Sequence, residues 1–561
     1  MRLQFQVIII YTKTIHLLII LLISIVSPLS GNSISGSILA SKYSSSINDF
    51  QKSADFNLKI LESGVDDPAF YNDALLYLVA SGNFNASFKL SKKMFDLDIR
   101  SPALGLVMII EKISKEKINE SISLVNLFEK DLPPVLVASI RGWMNLKKGK
   151  LEDSLYEFKK LSNTDLNFDL GAYYSAVAYS KSSKNEEALK IINKNNNNFK
   201  LLGKNFEILK SEIMVMSGEN INVQETLKNS ISNFLNDITL KELYRKIKNN
   251  NLYYHQIFQN EKNGISDTLL LFAQGESGQI NQKLVEIFYC QLAYFLSKDN
   301  PRFKLELAKA LNEADLFKES KEILLTISKD DIFYIESRLI LAESASENSF
   351  DIEAINILNE LIKTQNNTFE IYELLGNIYR YNEKFELAEE AYSRGIYLAQ
   401  NSEFDNQNLW LLYFFRGIAL EQLKNYERSK QDLRQALSLM PDQPQVLNYL
   451  GYMLIEQKEN LDEALDMIRK AVKISPQSGY IIDSLAWGLY QLGRYSEAIE
   501  PMEKAIELEP EDPIVNDHLG DILWKIGRKR EAYFQWKKAL IFNPKPELKF
   551  EIEKKIKLGL Q

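Results

Sequence analysis

The chain has 561 residues and a formal net charge of −8, from 67 basic and 75 acidic side chains. A mild acidic balance gives no basic stripe to neutralise phosphates, which argues against general nucleic-acid binding. The single cysteine, Cys290, excludes an intramolecular disulfide and any multi-cysteine metal site, and its setting in KLVEIFYCQLAYFL reads as a core thiol.

The N-terminus stands apart. Arg2 and Lys13 precede a continuous apolar run, Ile15–Val26, and small and polar residues follow. Twelve helical residues span about 18 Å, short of a hydrocarbon core of roughly 30 Å. Residues 1–33 therefore read as a secretory signal, with Gly31-Asn32-Ser33 as a cleavage site, or as an uncleaved anchor counted from Val7 to Leu29. Either reading exports the rest. No cysteine follows the apolar run, so a lipid-modified N-terminus is not expected.

Beyond it the chain keeps a beat. Ala40, Ala74, Met108, Gly142 and Ala176 are each 34 residues apart. Ala308, Ala342 and Gly376 continue at 34, and a polar insert around NSEFDNQN delays the next anchor, Gly417. Gly451, Ala486 and Gly520 then follow at 34, 35 and 34. Twelve residues after most anchors comes a small residue, as at Ser154, Ala188, Ser320, Ala388, Ser429, Ala498 and Ala532, and also at Ala86 and Ala354. Sixteen after comes a larger one: Phe158, Leu324, Leu358, Tyr392, Leu433, Met502 or Trp536. Pro441, Pro510 and Pro544 fall 24 after, where a helix must stop, and Gly493 and Gly527 fall seven after, where the chain turns. The pattern predicts two antiparallel helices per unit, with the anchor facing the small residue of the second helix. Residues 199–300 do not phase and are read as degenerate helical repeats. Polar runs such as NKNNNNFK are expected as loops.

Thirty-four residues with a small anchor is the tetratricopeptide period, and the chain is identified as a member of that superfamily. The expected fold is all-α: a right-handed solenoid of helix-turn-helix repeats, about 15 units long. Its parts are an N-terminal array over 34–198, the degenerate stretch over 199–300, a C-terminal array over 301–545, and an amphipathic capping helix over 546–561. The segment Asn448–Leu540 resembles the C-terminal block of an exported proteobacterial family of such proteins, and GSILASKYSSSINDFQKSADFNLKIL resembles that family's first unit. The resemblance implies a bacterial envelope protein without enzymatic activity. Some relatives are lipoproteins, an attachment that does not carry over without the cysteine.

In such repeats the first helices line the concave face, and positions 2, 5, 9 and 12 point into it when the anchor is position 8. The expected partner-binding residues are Asn448 and Tyr452 in one unit, and Tyr480, Asp483, Trp487 and Tyr490 in the next. Asp517, Asp521 and Trp524 complete the set in the last. The structural anchors beneath them are Gly376, Gly417, Gly451, Ala486 and Gly520. Trp143 hints at a second surface. The alternative reading of the same residues is packing between units.

Asp517-His518-x-x-Asp521 raises a metal-dependent or acid/base alternative, but a metal site needs three or four converging ligands and an open groove is a poor catalytic pocket. His518 is read instead as a hydrogen-bonding residue between units. GRKREA (527–532) reads as a solvated basic turn. There is no phosphate loop, no Gly-x-Ser-x-Gly elbow and no His-Glu-x-x-His. No cofactor or nucleic acid is expected. The expected partners are proteins or peptide segments, with membrane association through the N-terminus. The expected function is an envelope scaffold or assembly factor, periplasmic or anchored to the inner membrane, with a passive membrane-tethered spacer as the remaining alternative.

Overall fold

A computed structural model describes residues 33–163, 169–199, 202–234, 237–249, 257–275, 282–364, 368–404 and 407–560. The leader or anchor expected over 1–33 lies outside these, Ser33 excepted. Among the described residues there is no strand, and no helix is long and apolar enough to cross a membrane. The fold is all-α, built of antiparallel helix pairs.

Local sequence starts each helix. Asp67, Ser101, Asn300 and Asp512 cap first helices through their side-chain oxygens, each with a proline at the first helical position. The turns inside these pairs carry a left-handed residue at Gly149, Ser183, Asp315, Ser349, Glu383, Lys424, Lys458, Gly493 and Gly527. All nine fall seven residues after an expected anchor.

The same marker corrects the phase of the first three units. Left-handed Asn48, Gly82 and Glu116 place their anchors at Ser41, Leu75 and Ile109, one residue later than Ala40, Ala74 and Met108. Burial agrees: Ser41, Leu75 and Ile109 are buried, and Ala40 and Met108 are only half-buried. The small partner shifts too, to Ser53, Ser87 and Ser121, each buried, in place of Ala86. The unphased stretch yields one more unit. Gly218 is left-handed, and buried Ser211, Val223 and Leu227 keep the 12 and 16 spacing.

Volume is balanced within each pair. A Cβ added at Gly142 would lie 2.3 Å from Phe158, one at Gly376 2.6 Å from Tyr392, and one at Gly520 2.4 Å from Trp536. Where the sixteenth residue is smaller, as at Leu324 or Met502, the anchor grows to Ala308 or Ala486. In the early units the sizes invert, with Leu75 against Ser91 and Ile109 against Val125, all buried. At +12, a serine hydroxyl bonds the anchor carbonyl in three of the described units, Ser53 to Ser41, Ser320 to Ala308 and Ser429 to Gly417.

The chain divides into two compact units, residues 1–357 and 358–561. The division falls inside the stretch expected as one array over 301–545. Its cause is that Pro301–Glu313 packs on Gln282–Leu296, and Tyr334–Glu347 on Ile238–Lys248, so both belong to the first unit.

Stacking of neighbours does not describe the first unit fully. A helical hairpin, Glu261–Gly275 and Gln282–Leu296, lies across first helices of the N-terminal repeats, contacting Pro134–Lys147, Pro68–Ala80 and Pro102–Ser114. Phe295 stacks on Phe84 at 4.1 Å, Gln291 donates to the Ala80 carbonyl, and Ser139 bonds Thr268. Cys290, on this hairpin, is buried, and burial pushes its thiol well up, so it stays protonated. In the second unit the main helix contacts run between neighbours in sequence.

Candidate functional site

Three first helices carry the expected inner face: Pro444–Glu456, Gly479–Gln491 and Pro513–Lys525. Tyr480 is 49% exposed and Ile514 48%, while Tyr452, Trp487, Tyr490 and Trp524 are half-buried. Asn448, Asp483, Asp517 and Asp521 are buried.

The aspartates have partners inside the chain. Lys555 of the terminal helix Pro546–Leu558 reaches Asp517 at 2.7 Å and Asp521 at 2.7 Å. Trp536 donates its Nε1–H to Asp521 at 2.9 Å. Burial and Asp517 hold the Asp521 carboxyl above its ordinary value against the pull of Lys555. Trp524 packs on Trp536 at 5.4 Å, with Lys529 over its ring. The terminal helix thus covers the last repeat as expected, with Ile552 fully buried. The carboxylates expected to face a partner carry the cap instead.

His518 links two repeats. Its Nδ1–H donates to Asp483 at 2.9 Å, and its ring stacks on Trp487 at 3.8 Å, which stacks in turn on Tyr490 at 4.8 Å. Among the described residues, no three His, Cys, Asp or Glu side chains converge as metal ligands would. Burial opposes charge on the imidazole, but Asp483, then Asp517 and Asp521, outweigh it and raise its pKa. A pKa raised on folding means a stabilising contribution present in full below the unfolded value of about 6.5 and lost as pH rises through the folded value. The melting-temperature advantage of the parent over His518→Gln is therefore expected to be full at acid pH and to shrink as pH rises above about 6.5. A constant advantage across that range would show that His518 acts by shape alone.

The basic turn is matched as well. Arg528 pairs with Glu531 and with Glu503 at 3.2 Å. Trp143 does not form a second surface. It is fully buried among Phe158, Tyr174 and Phe258, because the hairpin helix Glu261–Gly275 brings Gly264 against its ring. A crevice of about 220 Å³ remains beside this hairpin, lined mainly by apolar side chains such as Leu106, Leu136 and Phe288.

Two residues of the inner face were not singled out from the sequence. Glu421 accepts from the Tyr449 hydroxyl at 3.2 Å, and Glu456 accepts from the Trp487 indole at 2.9 Å. Burial, then Glu456, Asp483 and Glu421, push the Tyr452 hydroxyl up, a sign of concentrated negative charge. Helical position would have found both glutamates: Glu421 is position 12 of its unit and Glu456 the residue after that position in the next.

The second unit is a helical-repeat array whose first helices carry a run of aromatic and acidic side chains, and repeat arrays are a class of protein that holds partners along extended surfaces. Its repeats are tetratricopeptide repeats. Family models described as tetratricopeptide repeat match residues 369–402, 416–479 and 484–544. The chain is 34% identical over 88 residues to TPR repeat-containing protein PA4667 of Pseudomonas aeruginosa, and 38% identical over 96 residues to the Lipoprotein NlpI homolog of Haemophilus influenzae. These alignments take in 16% and 17% of this chain, and span 15% and 29% of those relatives. Among solved structures it is similar to MamA from Desulfovibrio magneticus RS-1, at 20% identity and a TM-score of 0.27 over 31% of this chain and 94% of that one. It is also similar to TTC0263, a thermophilic TPR protein of Thermus thermophilus, at 18% identity and a TM-score of 0.30 over 34% of this chain and all of that one.

Proposed function

We propose that the protein is a non-enzymatic scaffold or assembly factor of the bacterial cell envelope, which holds a segment of a partner protein on the inner face of its C-terminal array. The observation that carries the reading is exposure of aromatic and apolar side chains at inner positions, Tyr480 and Ile514 above all, on helices that need neither exposed to fold. The inner positions of the N-terminal repeats support it from the other side, since there the chain's own hairpin fills the corresponding place. Export is inferred from the basic flank and apolar run before residue 27, which place the chain in the periplasm or on the inner membrane facing it. A relative described as a lipoprotein is consistent with the envelope.

The test is site-specific photocrosslinking in living cells from Tyr480 and Gln445 on the inner face, with Phe534 on an outer helix as control. One protein captured from both inner positions and not from Phe534 is the expected result. Equal capture from all three, or none from the inner pair, would overturn the reading.

A further inference from the structure

Charge is distributed unequally over the second unit. On its second helices and the loops beside them, carboxylates meet cations: Glu459 with Lys430 at 2.7 Å, Glu463 with Arg434 at 2.7 Å, Asp442 with Lys470 at 2.7 Å. At the C-terminal end of the inner face the same holds, since Lys555 neutralises Asp517 and Asp521, and His518 serves Asp483.

Glu421 and Glu456 differ. Among the described residues neither has a lysine or arginine within ion-pair distance, although each is held in place by an aromatic donor, Tyr449 or Trp487. Arg380 of a preceding repeat does not serve them. It bonds the Tyr392 hydroxyl and lies over the Phe415 ring at 4.8 Å. The two glutamates stand on consecutive first helices, Leu409–Gln422 and Pro444–Glu456, with Tyr452 between them in sequence and half-buried.

A second observation falls on the same face. Asn448, one turn before Tyr452, is 8% exposed, and its Oδ1 has no hydrogen-bond donor. A buried amide oxygen without a donor is unfavourable, and an incoming N–H relieves it. Two unneutralised carboxylates, an aromatic ring and a vacant acceptor together call for an occupant rich in N–H donors and positive charge.

We infer that the inner face of the C-terminal array takes a basic segment of its partner, with lysine or arginine side chains on Glu421 and Glu456 and their aliphatic stems along Tyr452. The inference rests on the partner-binding reading above and adds the chemistry of the occupant. Long basic side chains suit such a place because the stem covers apolar surface while the head meets the carboxylate.

Fluorescence anisotropy of the purified protein, with labelled peptides of about twelve residues, tests it. One peptide repeats lysine, alanine and leucine, a second replaces lysine by glutamate, and a third by glutamine. The lysine peptide is expected to bind about tenfold or more tighter than the others and to weaken steeply with salt. Glu421→Gln with Glu456→Gln should cost it about fivefold or more, and Gln445→Lys, an exposed change that leaves packing alone, should cost a similar factor. Glu459→Gln on the outer surface should cost nothing. Equal binding of the three peptides, tighter binding of the glutamate peptide, or lysine-peptide affinity untouched by both sets of inner variants would overturn the inference. So would self-association of the protein that the inner variants abolish, which would make a second copy the occupant. Failure here is distinguishable from failure of the broader reading. If crosslinking from Tyr480 captures a partner through a neutral or acidic segment, the scaffold stands and the basic occupant falls.

Discussion

Replacing Asp267 by alanine is expected to destabilise the first unit by about 3–5 kcal/mol, the cost of leaving a buried charge without its partner. Arg302 is 6% exposed, and among the described residues it is ion-paired to Asp267 alone, at 2.5 Å. The Nε and Nη1 of that guanidinium have no hydrogen-bond partner among the described residues, so the charge leans on Asp267. Asp267 also accepts from the Tyr174 hydroxyl, which bonds Thr268 in turn, and Thr268 bonds Ser139. The loss would therefore loosen the hairpin from the N-terminal repeats. Hydrogen exchange should rise over 134–147 and 261–275 together, while 444–541 is unaffected. Adding Arg302→Met to Asp267→Ala should recover a large part of the loss, because it removes the stranded charge and keeps the volume. If Asp267→Ala unfolds at the same denaturant concentration as the parent, or the double variant is worse than the single, the pair is not holding the hairpin.

The second large effect lies in the last repeat. Gly520→Ala puts a methyl 2.4 Å from the Trp536 ring, and overpacking of this kind costs about 1–3 kcal/mol. Trp536→Leu empties part of a fully buried site and takes the donor from Asp521, for a cost of about 2–4 kcal/mol, somewhat below a Trp→Ala truncation. Together the two changes recreate the Ala/Leu combination of Ala308 and Leu324. The double variant should be more stable than Trp536→Leu alone, with a coupling of about 1 kcal/mol or more in a denaturation cycle. Simple addition of the two costs would mean that Gly520 and Trp536 do not share one space.

The volume rule explains which parts of the fold were legible in the sequence. A search for small anchors finds Gly142, Gly376 and Gly520, where bulk lies on the second helix. It slips by one residue in the first three units: small Ala40 stands beside an equally small anchor, Ser41, and in the next two units bulk has moved onto the anchor itself, at Leu75 and Ile109. The left-handed turn seven residues on, at Gly82 or Glu116, is the safer marker, but a glutamate gives no hint of it in the sequence. Ser211 was findable, since Gly218 stands seven beyond it. The hairpin 261–296 was not, because periodicity reports neighbours and its partners lie far back in the chain: Thr268 meets Ser139 across 129 residues.

The site divides the same way. Position within the repeat led to Tyr452, Tyr480 and Trp487 as expected inner-face residues, and it read His518 as a link between units, which its bond to Asp483 makes it. It did not reveal that Asp517 and Asp521 are taken by Lys555. That residue stands 34 after Asp521, at the inner position of one further helix, so the period itself pointed to the partner. Charges beyond a repeat's own helices are seen only when neighbouring units are compared position by position.

The covered inner face of the first unit has a kinetic consequence. Its closure joins segments more than a hundred residues apart, and contacts of such span form slowly because the intervening chain must first be ordered. Contacts in the second unit are mostly between adjacent helices and form early. During synthesis the N-terminal repeats emerge first, yet they wait with bare apolar flanks until residue 296 has been made, which is when aggregation threatens most. Pulse-labelled hydrogen exchange during refolding should protect amides of 369–541 before those of 68–80 and 134–147, so that the half of the chain made first is the half completed last.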